Sequence, residues 1–407
     1  MDKTKEQIIK IGKAMLALGL QNTHSGNISI RMGEDMYITK TGSMKGHLQE
    51  RDIVISGLKA PKFGLFQASS EIGTHQKILR YAQAAMHAHS LPATLLSYIV
   101  PEVKPIDFLG KKYLHSIPVV EFEYPVGSKE MEEEIPIVLE TSSTMIVKAH
   151  GPFVRGASLH EAFLFLCILD YSSEILLNLK TLGVDLEKLP EFNYPEAKKY
   201  KAPENIKETQ DKELISQFKR TSTDVFSLKL SPFHTGSLSV RDGNEMIYSP
   251  ALSSPEDLEN DILRVKIGQE DDDFFRTLHQ AVYRYSSAKS AIFTHSPFAM
   301  IQSIKTTAEG LDRIVPIDAE GGYLYPAIPV LPPDTDFQSI IEKATRYKMV
   351  ALAGLGVLAI GHTPGYTIHH CSSVKNICFL KTQLEIMNRV GLVDDISKYL
   401  DERGKTW

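Results

Sequence analysis

Cysteine is scarce in this sequence, with three residues in a chain of 407. Cys167, Cys371 and Cys378 lie in apolar or helical contexts, and no two of them have the C-x-x-C spacing. This scarcity argues against a disulfide framework and against a thiolate metal site, and it indicates a reducing compartment.

A strong excess of charge is also lacking. The chain has 45 basic and 50 acidic residues, for a formal net charge of -5. We therefore expect no nucleic-acid and no membrane partner. The N-terminus has no secretory apolar region or cleavage site, and we find no run with the character of a membrane span. These features predict a cytoplasmic protein.

What the sequence does contain is an internal repeat, whose segments recur in the same order at offsets that fall from 210 to 205 residues. The matching pairs are Gly26–Arg31 with Gly236–Arg241, Gly33–Met36 with Gly243–Met246, His89–Ser90 with His295–Ser296, and Gly151–Gly156 with Gly356–Gly361. This pattern predicts two tandem copies of one domain, at 1–183 and 208–407. The segment 184–207, with its three prolines, is a plausible linker.

Each copy has the pattern of one mixed domain. A helix is followed by paired strands, a second helix, a buried strand with the histidine motif, a further strand and a long C-terminal helix (158–179 and 372–390). Intermixed strands and helices predict an α/β or α+β domain with a central sheet covered by helices.

Three histidines of the first copy form a candidate metal site. In a strand, residues two apart project to the same side, so His87 and His89 would point to one place. His150 ends another strand-like run. Three histidines with one open position are a common ligand set for a catalytic zinc-type ion. A lone His-x-His pair is weak support, but the second copy has lost most of these histidines.

Ser69, Ser70 and Glu71 open a predicted helix that continues to about residue 83. A helix N-terminus attracts anions, so the two hydroxyls could surround a phosphate together with Asn27, Thr41 and Gly42. Alternatively, the serines only cap the helix. Glu71 could ligate the metal, act as a general base, or be an exposed residue of the first turn.

The ordered motifs of the first copy resemble those of the class II aldolase/adducin family. They are 25-SGNISIR-31, 39-TKTG-42, 69-SSE-71, 87-HAHS-90 and 150-HG-151. Each motif is common, but all five in this order are specific. The resemblance covers nearly all of residues 1–182, and the second copy resembles the same fold from about 208 to 395.

This resemblance implies a three-layer α/β/α fold around a mainly antiparallel sheet, in two tandem copies. It implies that His87, His89 and His150 bind Zn²⁺ or another divalent ion such as Mn²⁺, Co²⁺ or Fe²⁺. Glu71 would be a ligand and the acid/base group of a lyase that forms a metal-stabilised enediolate. A sugar phosphate would bind at the positions matched in the family's phosphate pocket: Asn27, Thr41, Gly42, Ser69 and Ser70.

The second copy is predicted to have lost this site. Phe293 aligns with His87, Leu355 with His150, Ser237 with Asn27, and Ala251-Leu252 with Thr41-Gly42. The equivalent of 69-SSE-71 falls within 271–275. One remaining histidine cannot hold a catalytic ion of this type, so we expect no metal there.

The family's enzymes form rings of four subunits, which implies a homodimer of tandem pairs that mimics such a ring. The resemblance also implies a tyrosine proton donor from a neighbouring subunit. Tyr113, Tyr323 and Tyr325 are the candidates, although any single one could be a packed or surface tyrosine.

The leading hypothesis is therefore a metal-dependent aldolase-type lyase for a small sugar phosphate. A dehydratase or an epimerase of the same family is the alternative within this chemistry, and the glutamate at position 71 mildly favours aldol or dehydratase chemistry over epimerisation. The alternatives from other classes are a non-catalytic, adducin-like assembly protein and a ligand-sensing protein whose second copy binds a different effector, although no sequence feature supports the latter positively.

Overall fold

The computed structural model describes residues 2–59, 69–195, 212–249 and 262–393. The second half of the predicted linker (196–207) and the second-copy segment Ala251-Leu252 lie outside these ranges. The chain divides into two compact units, Met1–Leu177 (the N-terminal unit) and Asn178–Trp407 (the C-terminal unit).

Each unit is built from eight strands that alternate with helices. The strands of the N-terminal unit are β1 Asn27–Met32, β2 Asp35–Thr39, β3 Ile53–Gly57, β4 Ala84–His87, β5 Glu102–Val103, β6 Ile117–Val120, β7 Thr144–Val147 and β8 Gly151–Gly156. Its helices are α1 Lys3–Leu18, α2 Ile72–Ile78, α3 Leu91–Ser97, α4 Phe108–Tyr113, α5 Lys129–Thr141 and α6 Leu159–Thr181, of which α6 continues past the unit boundary.

The C-terminal unit repeats this order. Its strands are β9 Ser237–Asp242, β10 Glu245–Ser249, β11 Leu263–Lys266, β12 Ser290–Thr294, β13 Arg313–Ile314, β14 Ile328–Leu331, β15 Met349–Leu352 and β16 Gly356–Gly361. Its helices are α7 Lys212–Ser227, α8 Phe274–Tyr285, α9 Pro297–Ala308, α10 Ala319–Leu324, α11 Phe337–Tyr347 and α12 Pro364–Arg389.

The two sheets have the same topology. The strand order is β3-β2-β1-β4-β8-β7-β6-β5 in the first and β11-β10-β9-β12-β16-β15-β14-β13 in the second. The β6–β7 and β14–β15 pairs are parallel, whereas the other pairings are antiparallel. The predicted mainly antiparallel α/β fold in two copies is thus confirmed.

Helices cover both faces of each sheet. In the N-terminal unit, α2 and α5 pack together over one face, where Met145, Val147 and Phe153 belong to a buried apolar cluster. The alternate residues Ile146 and Val154 are buried on the other face, where α3 contacts β7 and β8. In the C-terminal unit, α9 packs with α12 and α8 packs with α11.

The long helices differ in two ways from the sequence-based predictions. Helix α12 begins at Pro364 rather than at 372, because Thr363 caps it by accepting from the Tyr366 amide. Helix α6 is, by length and composition alone, long and apolar enough to cross a membrane, whereas the sequence analysis found no run of this character. However, 78% of its apolar window is buried inside the protein, which is typical of a core helix.

Candidate functional site

Strand pairing brings the polar residues of the first copy to one place in the sheet. Asn27, the first residue of β1, lies opposite His87 at the end of β4, and His87 lies opposite Phe153 of β8. The His87 ring stacks on the Phe153 ring with centroids 4.2 Å apart. His87 Nδ1 donates to the Pro152 carbonyl at 2.9 Å, so its Nε2 carries the free lone pair.

His150 reaches the same place from the turn between β7 and β8. Ala149 has a left-handed φ of 62° in this turn, and its amide donates to Ser97 Oγ at 3.0 Å. The next residue, Gly151, has a φ of 152°, and a Cβ there would collide with the Ala88 carbonyl oxygen. Only glycine allows β8 to approach the end of β4 this closely.

The three histidines form a cluster suited to a metal ion. One ligand nitrogen from each of His87, His89 and His150 can be chosen so that all lie within 4.8 Å of one another. His87 Nε2 and His150 Nε2 are 3.1 Å apart. A tetrahedral zinc ion with Zn–N distances of about 2.0–2.1 Å separates its nitrogen ligands by roughly 3.3 Å. The donor set therefore fits a divalent ion of this type.

Burial keeps these imidazoles neutral, which is the form that binds metal. Desolvation lowers the pKa of His87 well below its usual value, and repulsion from His89 lowers it further. Burial is also the main cause of the lowered pKa of His150, to which nearby His87 adds. The pKa of half-buried His89 falls for the same reason, although Glu71 opposes the shift.

Glu71 lies beside the histidine cluster and is held by two polar neighbours. Its Oε2 accepts from Asn27 Nδ2 at 2.6 Å, and its Oε1 lies 3.9 Å from His150 Nε2. Asn27 Nδ2 also donates to Ser69 Oγ at 3.0 Å, and Ser69 Oγ accepts from the Glu71 amide at 3.3 Å. The carboxylate is buried, at 5% exposure, so it faces the cluster and not the solvent.

The structure corrects the predicted role of 69–71 as a helix start. Helix α2 spans only Ile72–Ile78, with Glu71 at its N-cap position and without a side-chain cap. Ser69 is buried and its hydroxyl bonds inward to Asn27, whereas Ser70 is exposed. A helix of two turns adds little dipole, so an anion there would depend on the hydroxyls and on nearby charge.

Thr41 and Gly42 lie in an exposed turn after β2, where Gly42 has a φ of 71°. The same segment holds a residue that the sequence analysis missed. Lys45 is only 1% exposed, and its Nζ donates to the carbonyl of Ser43 at 3.0 Å and to the Ser43 hydroxyl at 3.2 Å. Desolvation lowers the pKa of Lys45 to about 8. A lysine three residues after a Thr-Gly turn carries no sequence signal of burial.

The three tyrosines occupy different environments. Tyr113 ends α4, and burial raises the pKa of its phenol to about 12. Tyr323 is 70% exposed on α10, whereas Tyr325 is buried and its hydroxyl lies 2.7 Å from His370 Nδ1. Among the described residues, the hydrogen bonds of the histidine cluster do not include these tyrosines.

The C-terminal unit fills the corresponding place with apolar groups. Ser237 lies opposite Phe293 and Phe293 opposite Leu358, which confirms the alignment of Phe293 with His87 and of Leu355 with His150.

Two further buried histidines occupy corresponding places in the two units. His75 bonds through Nδ1 to Ser29, and His279 bonds likewise to Ser239. These two buried histidines therefore correspond, and Phe275 takes the position of Glu71.

The Phe275 ring is 5.0 Å from the Phe293 ring and 6.1 Å from that of His295. A small cavity of about 20 Å³ lies beside Ser237 and Phe293 on the side of helix α7, and Phe275, His295 and Leu355 do not line it. A water molecule needs roughly 10–15 Å³, so this space admits a water but no substrate. His295 Nδ1 bonds to the Leu355 carbonyl at 2.7 Å. The described part of this unit retains one of the three histidines.

Comparisons with known proteins agree with this duplication. The family described as Class II Aldolase and Adducin N-terminal domain matches residues 6–177 and 217–382. An L-fuculose phosphate aldolase of Methanocaldococcus jannaschii is 32% identical over 43% of this chain and 97% of its own length. An L-fuculose phosphate aldolase of Escherichia coli K12 is 28% identical over 40% of this chain and 76% of its own length.

A solved structure is similar over a comparable share of the chain. L-fuculose-1-phosphate aldolase from Thermus thermophilus has 27% sequence identity and a TM-score of 0.43, and the match covers 45% of this chain and 97% of that one.

Replacing His89 with alanine tests the cluster, because the chain offers a matched control in His295. We expect His89→Ala to lower divalent-metal affinity by ~100-fold or more, since a ligand is lost, while the fold is kept. His295→Ala should leave the affinity unchanged. Metal content and affinity are measured by elemental analysis and chelator competition. Full metal retention in His89→Ala, or equal losses in both variants, would refute the site.

Proposed function

The chain belongs to the class II aldolase and adducin family, and we propose that its N-terminal unit is a divalent-metal-dependent carbon–carbon lyase acting on a small sugar phosphate. The observation that carries this proposal is the meeting of Glu71 with His87, His89 and His150 in one buried cluster. L-fuculose phosphate, the substrate named for the relatives, is the first compound to test.

Three histidines would hold the ion, and His87 is the best oriented of them. The Pro152 carbonyl fixes its tautomer and its ring plane, as outer-shell acceptors do for metal-binding imidazoles. A bound Zn²⁺, Mn²⁺, Co²⁺ or Fe²⁺ would supply Lewis-acid polarisation of a substrate carbonyl. Imidazole ligands suit all four ions.

We propose that Glu71 moves the proton at the carbon next to that carbonyl. Asn27 binds one oxygen of the Glu71 carboxylate, and the other oxygen faces His150. The carboxylate is thus held in place by a neutral amide and not by a lysine or an arginine. A general base must be held within reach of the carbon-bound proton, and a positioned carboxylate serves as acid on the return step. Additional ligation of the ion by Glu71 is compatible with this role.

The phosphate of the substrate is proposed to bind at Asn27, Thr41, Gly42, Ser69 and Ser70, with Lys45 as the nearby positive charge. The Lys45 ammonium is buried and its hydrogen bonds go to the neutral oxygens of Ser43 and the His24 carbonyl, while the Asp52 carboxylate favours its charge from further away. Buried charges are stabilised by pairing, so a phosphate would be a favourable partner. Anchoring the phosphate also positions the reacting carbon.

Among the described residues of the N-terminal unit, we propose Tyr113 as the proton donor, because its raised pKa keeps the phenol protonated. Tyr323 and Tyr325 remain candidates from the second copy. We also propose a cytoplasmic homodimer that mimics a ring of four. The filled site of the C-terminal unit favours a non-catalytic role for that unit.

The Glu71→Gln variant separates proton transfer from metal binding. Glutamine keeps the shape and an oxygen for Asn27 but cannot take a proton. We expect kcat for sugar-phosphate cleavage to fall by ~10²–10⁴-fold while most of the metal stays bound. The control is Glu121→Gln, which changes a carboxylate that is 70% exposed. Wild-type turnover in Glu71→Gln would remove this residue from the mechanism.

The Lys45→Met variant tests whether Lys45 binds the phosphate of the substrate. We expect KM for a phosphorylated ketose to rise by ~10–150-fold, because a charge-assisted bond of roughly 1.5–3 kcal/mol is lost. KM for the unphosphorylated sugar should not change, and Lys104→Met, at a lysine with a 76% exposed side chain, should behave as wild type. Equal effects on both substrates would indicate a structural lysine instead.

A further inference from the structure

A second pocket lies in the C-terminal unit, and its lining differs from that of the filled site. It measures about 210 Å³ and opens to solvent between the ends of α8 and α11, the end of β16 and the start of α12. We propose that this pocket binds a small phosphorylated metabolite. The volume is below the roughly 300 Å³ at which pockets for drug-sized ligands begin, which suits such a compound.

The N-terminal unit fills the same place with an arginine. The strand registers place Arg155 of β8 opposite Ala85, and Ile360 of β16 opposite Ala291, so Arg155 and Ile360 correspond. The Arg155 guanidinium donates to the carbonyls of Leu139 and Glu140 at the end of α5 and lies 5.9 Å from the Tyr81 ring. Isoleucine is too short to reach these positions, and the pocket remains.

The charges of the pocket favour an anion. Its ionisable lining residues are Lys348, His362, His370 and Tyr366, and no aspartate or glutamate is among the described residues that line it. Ser286, Ser287 and Thr345 add hydroxyl groups. Lysine, imidazole and hydroxyl donors together match the several acceptor oxygens of a phosphate.

Three helix ends surround the pocket. Two of them are the C-termini of α8 and α11, where the Ser286 hydroxyl donates to the Val282 carbonyl and the Lys348 amide donates to the Ala344 carbonyl at 2.7 Å. The third is the start of the 26-residue helix α12, which lines the pocket with Tyr366 and His370. The pocket thus offers an anion one lysine, two imidazoles and several hydroxyl groups.

His370 is oriented for the ligand by a neighbour. Its Nδ1 lies 2.7 Å from the Tyr325 hydroxyl, so a neutral ring that accepts there carries its proton on Nε2. Lys348 has a left-handed φ of 71°, a conformation that glycine usually adopts at a helix end. Lysine is not the residue that this backbone conformation favours.

The test measures binding of radiolabelled inorganic phosphate to the full chain by equilibrium dialysis. Lys348→Gly removes the charge and suits the backbone, so folding is preserved. Ile360→Arg restores the side chain that fills the place in the N-terminal unit. Ser70→Asp is the matched control, because it disables only the proposed phosphate site of the N-terminal unit.

We expect two classes of phosphate site in the wild-type chain. Lys348→Gly should weaken one class by about tenfold, a change of about 1.4 kcal/mol, Ile360→Arg should abolish it, and Ser70→Asp should affect only the other. Unchanged phosphate binding in both pocket variants would overturn the proposal. Acetate that competes as well as phosphate analogues at this site would overturn the ligand class.

Discussion

The close approach of β4 and β8 is the constraint on which the candidate site depends. The Ala88 amide donates to the Pro152 carbonyl, and the same carbonyl accepts from His87 Nδ1. Gly151 permits this approach because a side chain there would collide with the Ala88 carbonyl. The pairing of these two strands therefore fixes the orientation of the His87 ring and places His150 beside it.

The duplicated unit shows that the fold does not require the histidines. The C-terminal unit keeps the same sheet order with Phe275, Phe293 and Leu355 at the positions of Glu71, His87 and His150. Aromatic and aliphatic side chains fill the space that polar groups line in the first unit. The pair His75 and His279, in contrast, is kept with its serine partners, which identifies these two as structural. Placing three imidazoles together in a largely buried site is costly without a ligand for their free nitrogens, so the cluster favours a functional explanation.

The sequence predicted the duplication, the α/β class and the residues of the cluster, because strand alternation and repeat order leave strong signals. It did not predict the short α2, since the cap position depends on Ser69 turning inward to Asn27. The burial of Lys45 and the exchange of Arg155 for Ile360 were also missed. Both features depend on contacts between side chains from segments that are far apart in the sequence, and a local sequence pattern does not predict such contacts.

The central claim is that one of two homologous units is a metal-dependent enzyme. The metal content of the untagged chain, purified without chelators and measured by elemental analysis, tests this most directly. The account predicts close to one divalent ion per chain. Two ions would contradict the loss of the site in the C-terminal unit. No ion, even after metal is added, would contradict the proposed lyase and favour an assembly role for both units.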